Sequence, residues 1–160
     1  MKNLNIIGRA EKVDLPQLNS SAVPAKIDTG ADASSIWASK IEINSTDLNV
    51  IFFGADSEFY DGKPHTFSAK QYTITRVSSS FGHRELRYKV NLKIRINKRM
   101  INGSFTLADR SKKLYPILIG RSLLRNKFLV DVSKGKPLLA EEKARKLKLR
   151  EEIISIKENV

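Results

Sequence analysis

Cysteine is absent from the 160 residues, which excludes disulfides, thiolate metal sites and a thiol nucleophile. Histidine occurs only as His65 and His83, 18 positions apart and without a His-Glu-x-x-His pair, so the pattern of a zinc peptidase is missing. No apolar run approaches the roughly 20 residues that cross a bilayer. The N-terminal Met1-Lys2-Asn3-Leu4-Asn5-Ile6-Ile7-Gly8-Arg9 has too short an apolar stretch for a signal peptide. There is no glycine-rich phosphate loop with a lysine, no glycine-flanked serine elbow, no internal repeat and no RNP-type or helix-turn-helix signal. The expectations are a cytoplasmic protein with no membrane segment, no metal and no cofactor.

Acidic residues are scarce as well: 17 against 29 basic ones, for a net charge of +12. The excess is uneven. From Gly82 to Lys113 ten cations (Arg84, Arg87, Lys89, Lys93, Arg95, Lys98, Arg99, Arg110, Lys112, Lys113) face only Glu85 and Asp109, leaving +8. Such a field concentrates anionic partners, whether nucleic acid or acidic peptide; a solvated face that serves solubility is the plainer alternative.

What is present is largely strand-like. Leu4–Val13 reads as a strand closed by Asp14-Leu15-Pro16, and Val23–Ile27 as a short one running into Asp28-Thr29-Gly30. Ser35–Ala38 resumes extended structure. Ile51-Phe52-Phe53 and His65-Thr66-Phe67 flank Asp61-Gly62, predicting a hairpin over Val50–Ala69. Gln71–Val77 is another strand, with Ser78-Ser79-Ser80-Phe81-Gly82 as a hairpin tip. Lys89–Asn97 alternates strictly, apolar at even positions, as a half-buried strand does. After a turn near Asn97-Lys98, Met100–Ala108 returns antiparallel, with Asn102-Gly103 as a competing turn or a bulge. Tyr115–Ile119 reads as a buried strand ending at Gly120, Arg121–Asn126 as one or two helical turns, and Phe128–Val132 as a last strand. Beyond Gly135-Lys136-Pro137 the chain has no Gly or Pro and nearly balanced charges. It reads as a helical tail, either a solvated extension or a helix that binds a partner. Two domains are expected, 1–137 and the tail 138–160. Trp37, Phe52, Phe53, Phe59 and Tyr60 read as core or interface.

One loop carries chemistry. An aspartate leaving a buried strand into Thr-Gly has a backbone free to turn sharply and a neighbouring hydroxyl that can donate and accept. Two such carboxylates a few ångströms apart do not both ionise. One activates water while the other protonates the carbonyl oxygen. A bare Asp-Thr-Gly is weak; here an apolar strand precedes it, Ser34-Ser35 follows, and Leu118-Ile119-Gly120-Arg121 lies downstream.

With Asp28-Thr29-Gly30-Ala31-Asp32 at one end and Ile119-Gly120-Arg121-Ser122-Leu123-Leu124 at the other, the sequence resembles the retropepsin-like aspartic proteases. More closely, it is similar to a bacterial family labelled ATP-dependent zinc protease, some of whose members are associated with an ATP-grasp glutamate ligase that modifies a ribosomal protein. Gly8-Arg9-Ala10-Glu11, Pro24–Ala31, Asp61-Gly62-Lys63, Ser79–His83 and Gly120–Arg125 carry that similarity over about residues 4–135. The resemblance implies an all-β fold: a closed barrel with one short helix after Gly120, plus the tail. It implies Asp28 as the catalytic carboxylate, Thr29 in a threonine link across a homodimer, and Gly30 against the substrate backbone. Ala31, Asp32, Gly120 and Arg121 support the site, Asp32 and Arg121 as an ion pair. Ser78, Ser79, Ser80, Phe81 and Gly82 form the flap that covers substrate.

Ala31 stands where pepsin-like enzymes carry a serine, which removes a hydroxyl from beside the carboxylates and predicts activity nearer neutral pH. The zinc of the label finds little support in the sequence, where only His65 and His83 with a carboxylate brought together by the fold could hold it, and any ATP would belong to a partner. The function implied is a homodimeric aspartic endopeptidase acting on a peptide, one rich in glutamate by the charge argument. The alternatives are a non-catalytic dimer that binds a peptide or a ribosomal component, and an RNA-binding module.

Overall fold

The computed structural model describes residues 3–78 and 81–160. In chain order the strands are β1 (Asn5–Ile7), β2 (Ala10–Leu15), β3 (Ser20–Ile27), β4 (Ser34–Asn44), β5 (Asp47–Phe52), β6 (His65–Phe67), β7 (Tyr72–Ser78), β8 (Arg84–Ile96), β9 (Arg99–Ala108), β10 (Ile117–Ile119) and β11 (Phe128–Val130). The helices are α1 (Arg121–Leu124) and α2 (Leu139–Glu158).

Six strands close a barrel in the order β10-β3-β2-β8-β9-β4, and β10 shuts the ring by pairing parallel with β3 and antiparallel with β4. The expected all-β closed barrel, with a short helix after Gly120 and a helical tail, is the fold observed. Alternation drives it. In β8, Val90, Leu92, Ile94 and Ile96 are buried while Asn91, Lys93 and Arg95 face solvent, and each fully buried apolar side chain contributes roughly 1.5–3 kcal/mol. Val13, Val23, Ile36, Phe105, Ile117 and Ile119 from the other strands complete the interior. Asn97 and Lys98 both adopt positive φ (44° and 69°), the twist a two-residue hairpin needs between β8 and β9.

Three expectations are corrected. Leu4–Val13 is two strands in different sheets, because Gly8 lies against the backbone of Lys134 and Arg9 N–H donates to Lys134 O at 3.1 Å. β1 thereby pairs parallel with β11, outside the barrel. The segment around Asp61-Gly62 is no tight hairpin. β5 does pair antiparallel with β6, Asn49 opposite Thr66, but residues 53–64 form a long connection, and the tight turn joins β4 to β5 around Ser45 (φ 60°). Gly103 is neither turn nor bulge: it sits in unbroken register opposite Leu92, where a Cβ would come within 2.7 Å of Leu123 Cδ1.

β7 and β8 form a long hairpin paired out to Ser78 opposite Arg84. Ser79 and Ser80, expected as part of the flap, lie outside the described residues. Phe81 is 87% exposed.

Candidate active site

β3 ends where β10 ends, Ile27 opposite Ile119. The next residue, Asp28, donates its N–H to Ile119 O at 2.9 Å. Asp28 is half-buried. Its Oδ1 accepts the N–H of Gly30 at 2.9 Å, and its carbonyl accepts the N–H of Ala31 at 3.3 Å. The carboxylate is thereby fixed by its own turn.

The chain leaving this turn is stitched to the start of α1. Arg121 N–H donates to Ala31 O (2.8 Å) and Ser122 N–H to Asp32 O (3.1 Å). The buried Ser34 hydroxyl accepts the N–H of Gly120 at 3.0 Å, and Ser34 O accepts from the Thr106 hydroxyl at 3.2 Å. Gly120 is required by close approach, since a Cβ there would lie 2.5 Å from Ala33 O. The Arg121 guanidinium then reaches back over the loop. Nη2 pairs with Asp32 Oδ1 at 2.7 Å, and Nη1 donates to Thr29 O (3.1 Å) and Gly30 O (2.8 Å).

Asp28, Thr29, Gly30, Ala31, Asp32, Gly120 and Arg121 therefore come together in one loop system. Ser78 ends β7 opposite Arg84 of β8, and Phe81 and Gly82 lie between the two strands in sequence.

Asp28 also lines a cleft of about 1050 Å³ whose other walls are the barrel lip (Arg9, Lys26, Arg110, Tyr115) and α2. α2 is tied down at its first turn. Glu142 accepts from Arg9 Nη1 (3.0 Å) and Nη2 (2.9 Å) and from the Tyr115 hydroxyl (2.7 Å), and Leu138 N–H donates to Tyr115 Oη (2.9 Å). These donors pull the Glu142 carboxyl down to about 2. Burial, followed by the bond to Glu142, pushes the Tyr115 phenol up. Burial, with the nearby Arg87, lowers Arg110. The tail is thus tied to the barrel at its start, while residues 143–160 are exposed. Sequence reasoning missed Arg9, Tyr115 and Glu142 as a unit, since one glutamate among evenly spaced charges carries no distinguishing mark.

Among the described residues no three of His, Cys, Asp and Glu gather as a metal would need. His65 lies edge-on to Phe52, ring centroids 5.6 Å apart. The described side chains do not build a zinc site. No described helix is long and apolar enough to cross a membrane.

The closed barrel with an Asp-Thr-Gly turn braced from a Gly-Arg helix start defines a retropepsin-like protein. The chain belongs to the RimB-like family: the family model, described as "Retropepsin-like aspartic endopeptidase RimB", matches residues 6–137. Two curated relatives are each named "Probable alpha-L-glutamate ligase". The one from Desulfotalea psychrophila is 26% identical over 79% of this chain, and the one from Shewanella pealeana is 29% identical over 83%. The chain spans only 28% and 30% of their lengths. A solved structure of a Legionella pneumophila protein of unknown function shares the fold, with a TM-score of 0.62 and 24% identity over 82% of this chain and 95% of that one.

Proposed function

We propose that the chain is one half of a homodimeric aspartic peptidase that hydrolyses a peptide bond in an acidic, glutamate-rich substrate in the cytoplasm. The observation that carries this reading is the Asp28 carboxylate, fixed by the Gly30 N–H and opening onto a cleft rich in cations. Each chain supplies one such carboxylate. A two-fold dimer brings two together on an isologous interface, and the pair shares one proton. The ionised Asp28 takes a proton from water as the water attacks the carbonyl carbon. The protonated Asp28 gives its proton to the carbonyl oxygen, and the resulting diol collapses with proton transfer to the leaving nitrogen. The Thr29 and Gly30 carbonyls, held by Arg121, set the loop, and the β7–β8 hairpin is the flap.

The relatives' name supports glutamate as the relevant chemistry: in this reading a glutamate ligase builds what this chain trims, in modification of a ribosomal protein. Asp28→Asn preserves an Oδ1 acceptor for Gly30 and should leave fold and oligomeric state unchanged. It should abolish cleavage of a glutamate-rich peptide followed by mass spectrometry. A variant that still cleaves overturns the mechanism, and a native dimer that binds the peptide without cutting it identifies a binding protein instead.

A further inference from the structure

The family match ends at residue 137, and the reading above gives α2 no task. The helix buries none of its residues, yet it is held twice: by Glu142 on Arg9 and Tyr115, and by Arg145 Nη2 on Lys112 O at 2.7 Å. These ties lie about one helical turn apart, which lays the first half of α2 along the barrel lip. Arg145, Lys146, Lys148 and Leu149 line the cleft from this side, while Arg110 and Lys113 line it from the barrel. Lys143, Arg150 and Lys157 do not border it.

Charge decides what the cleft prefers. Seven cations line it against three carboxylates, Asp28, Glu142 and Glu152; with the Arg9–Glu142 pair set aside, six face two. Arg110 is half-buried and has no carboxylate among the ion pairs of the described residues. It feels the like charge of Arg87. A partly dehydrated guanidinium in that position is stabilised by an arriving anion. Glu142 to Glu152 spans about 15 Å of helix at ~1.5 Å per residue, the length of four or five residues of extended peptide at ~3.3 Å each.

We propose that α2 is a wall of the substrate cleft: docked through Glu142, it holds Arg145, Lys146 and Lys148 across from Arg110 and Lys113, and these two rows select the acidic side chains of a peptide directed toward Asp28. The inference rests on the peptidase reading for the direction of the peptide. The α2 cations are positioning residues; they act on substrate affinity and not on the bond that breaks.

The test uses the full chain with Asp28→Asn, so that cleavage does not consume the probe, and a fluorescein-labelled hexaglutamate peptide. Replacing Lys146 and Lys148 together by Gln, which spares the Arg145–Lys112 tie, should raise Kd at least tenfold and flatten its salt dependence. Replacing Lys143 and Lys157 by Gln removes the same charge from the same helix and should leave Kd within twofold. Two double variants that behave alike overturn the proposal, as does tighter binding of a hexauridylate through Lys146 and Lys148. In the chain with Asp28 restored, cleavage whose KM ignores the cleft-side substitutions also overturns it while sparing the peptidase reading. Binding that depends on them without any cleavage upholds the wall and sinks the peptidase.

Discussion

Arg121 and Asp32, 89 positions apart in sequence, meet at 2.7 Å, and the same guanidinium holds the carbonyls of Thr29 and Gly30. The ion pair is exposed on both sides and by itself contributes little. The two carbonyl contacts are what fix the loop. Asp32→Asn should therefore cost less than about 1 kcal/mol, whereas Arg121→Ala, which loses all three bonds, should cost about 1–2 kcal/mol. Urea denaturation measures both, and equal costs would refute the ranking.

Gly120 and Gly103 are both crowded, by different things. At Gly120 a Cβ meets the backbone of Ala33 and Ala31; at Gly103 it meets the side-chain tips of Leu123 and Phe105. Backbone cannot swing aside and side chains can. Gly120→Ala is expected to cost about 3 kcal/mol or more, and Gly103→Ala about 1–2 kcal/mol. Thermal unfolding of the two variants checks the order.

The docking of α2 is pH-dependent through Glu142. Its carboxyl sits at about 2 when bound to Arg9 and Tyr115, against an ordinary value of 4.5. A carboxyl lowered in this way stabilises docking fully above its ordinary value, and the contribution fades as pH falls from about 4.5 to about 2. The protection factors of the α2 amides, with intrinsic exchange corrected at each pH, should fall over that window in the native protein. Glu142→Gln should exchange faster at neutral pH and lose the acid-dependent step.

Ser35 is buried, and its hydroxyl has no hydrogen-bond partner among the described residues. Ser35→Ala removes a desolvated polar group without opening a cavity of consequence. It should raise stability by about 1 kcal/mol; a loss of stability on denaturant titration would show that the hydroxyl is used.

Much of this architecture was legible because short-range rules governed it. The even-position apolar residues of Lys89–Asn97 could be nothing but the inner face of β8, and the apolar run ending at Gly120 had to be a buried strand. The Asp28 loop was legible as a pattern, though its geometry depends on Ile119, Ser34 and Arg121. What escaped was settled at long range. The break at Gly8 comes from Lys134, far along the chain. Gly103 follows Asn102 as a turn glycine would, yet it is small to admit Leu123. The docking of α2 depends on one carboxylate finding Arg9 and Tyr115, a match that periodicity does not encode.

β10, three residues long and paired on both sides, makes folding of the loop a late event. Its partners in β3 and β4 are synthesised some ninety and eighty residues earlier, and contacts of such separation form slowly because the loop between them must close first. A nascent chain therefore carries Asp28 out of the ribosome long before Ile119 and Arg121 arrive to shape its turn. The turn around Asp28 is held by Ile119 O and the Arg121 guanidinium, so a chain made only as far as β9 lacks the contacts that set the carboxylate.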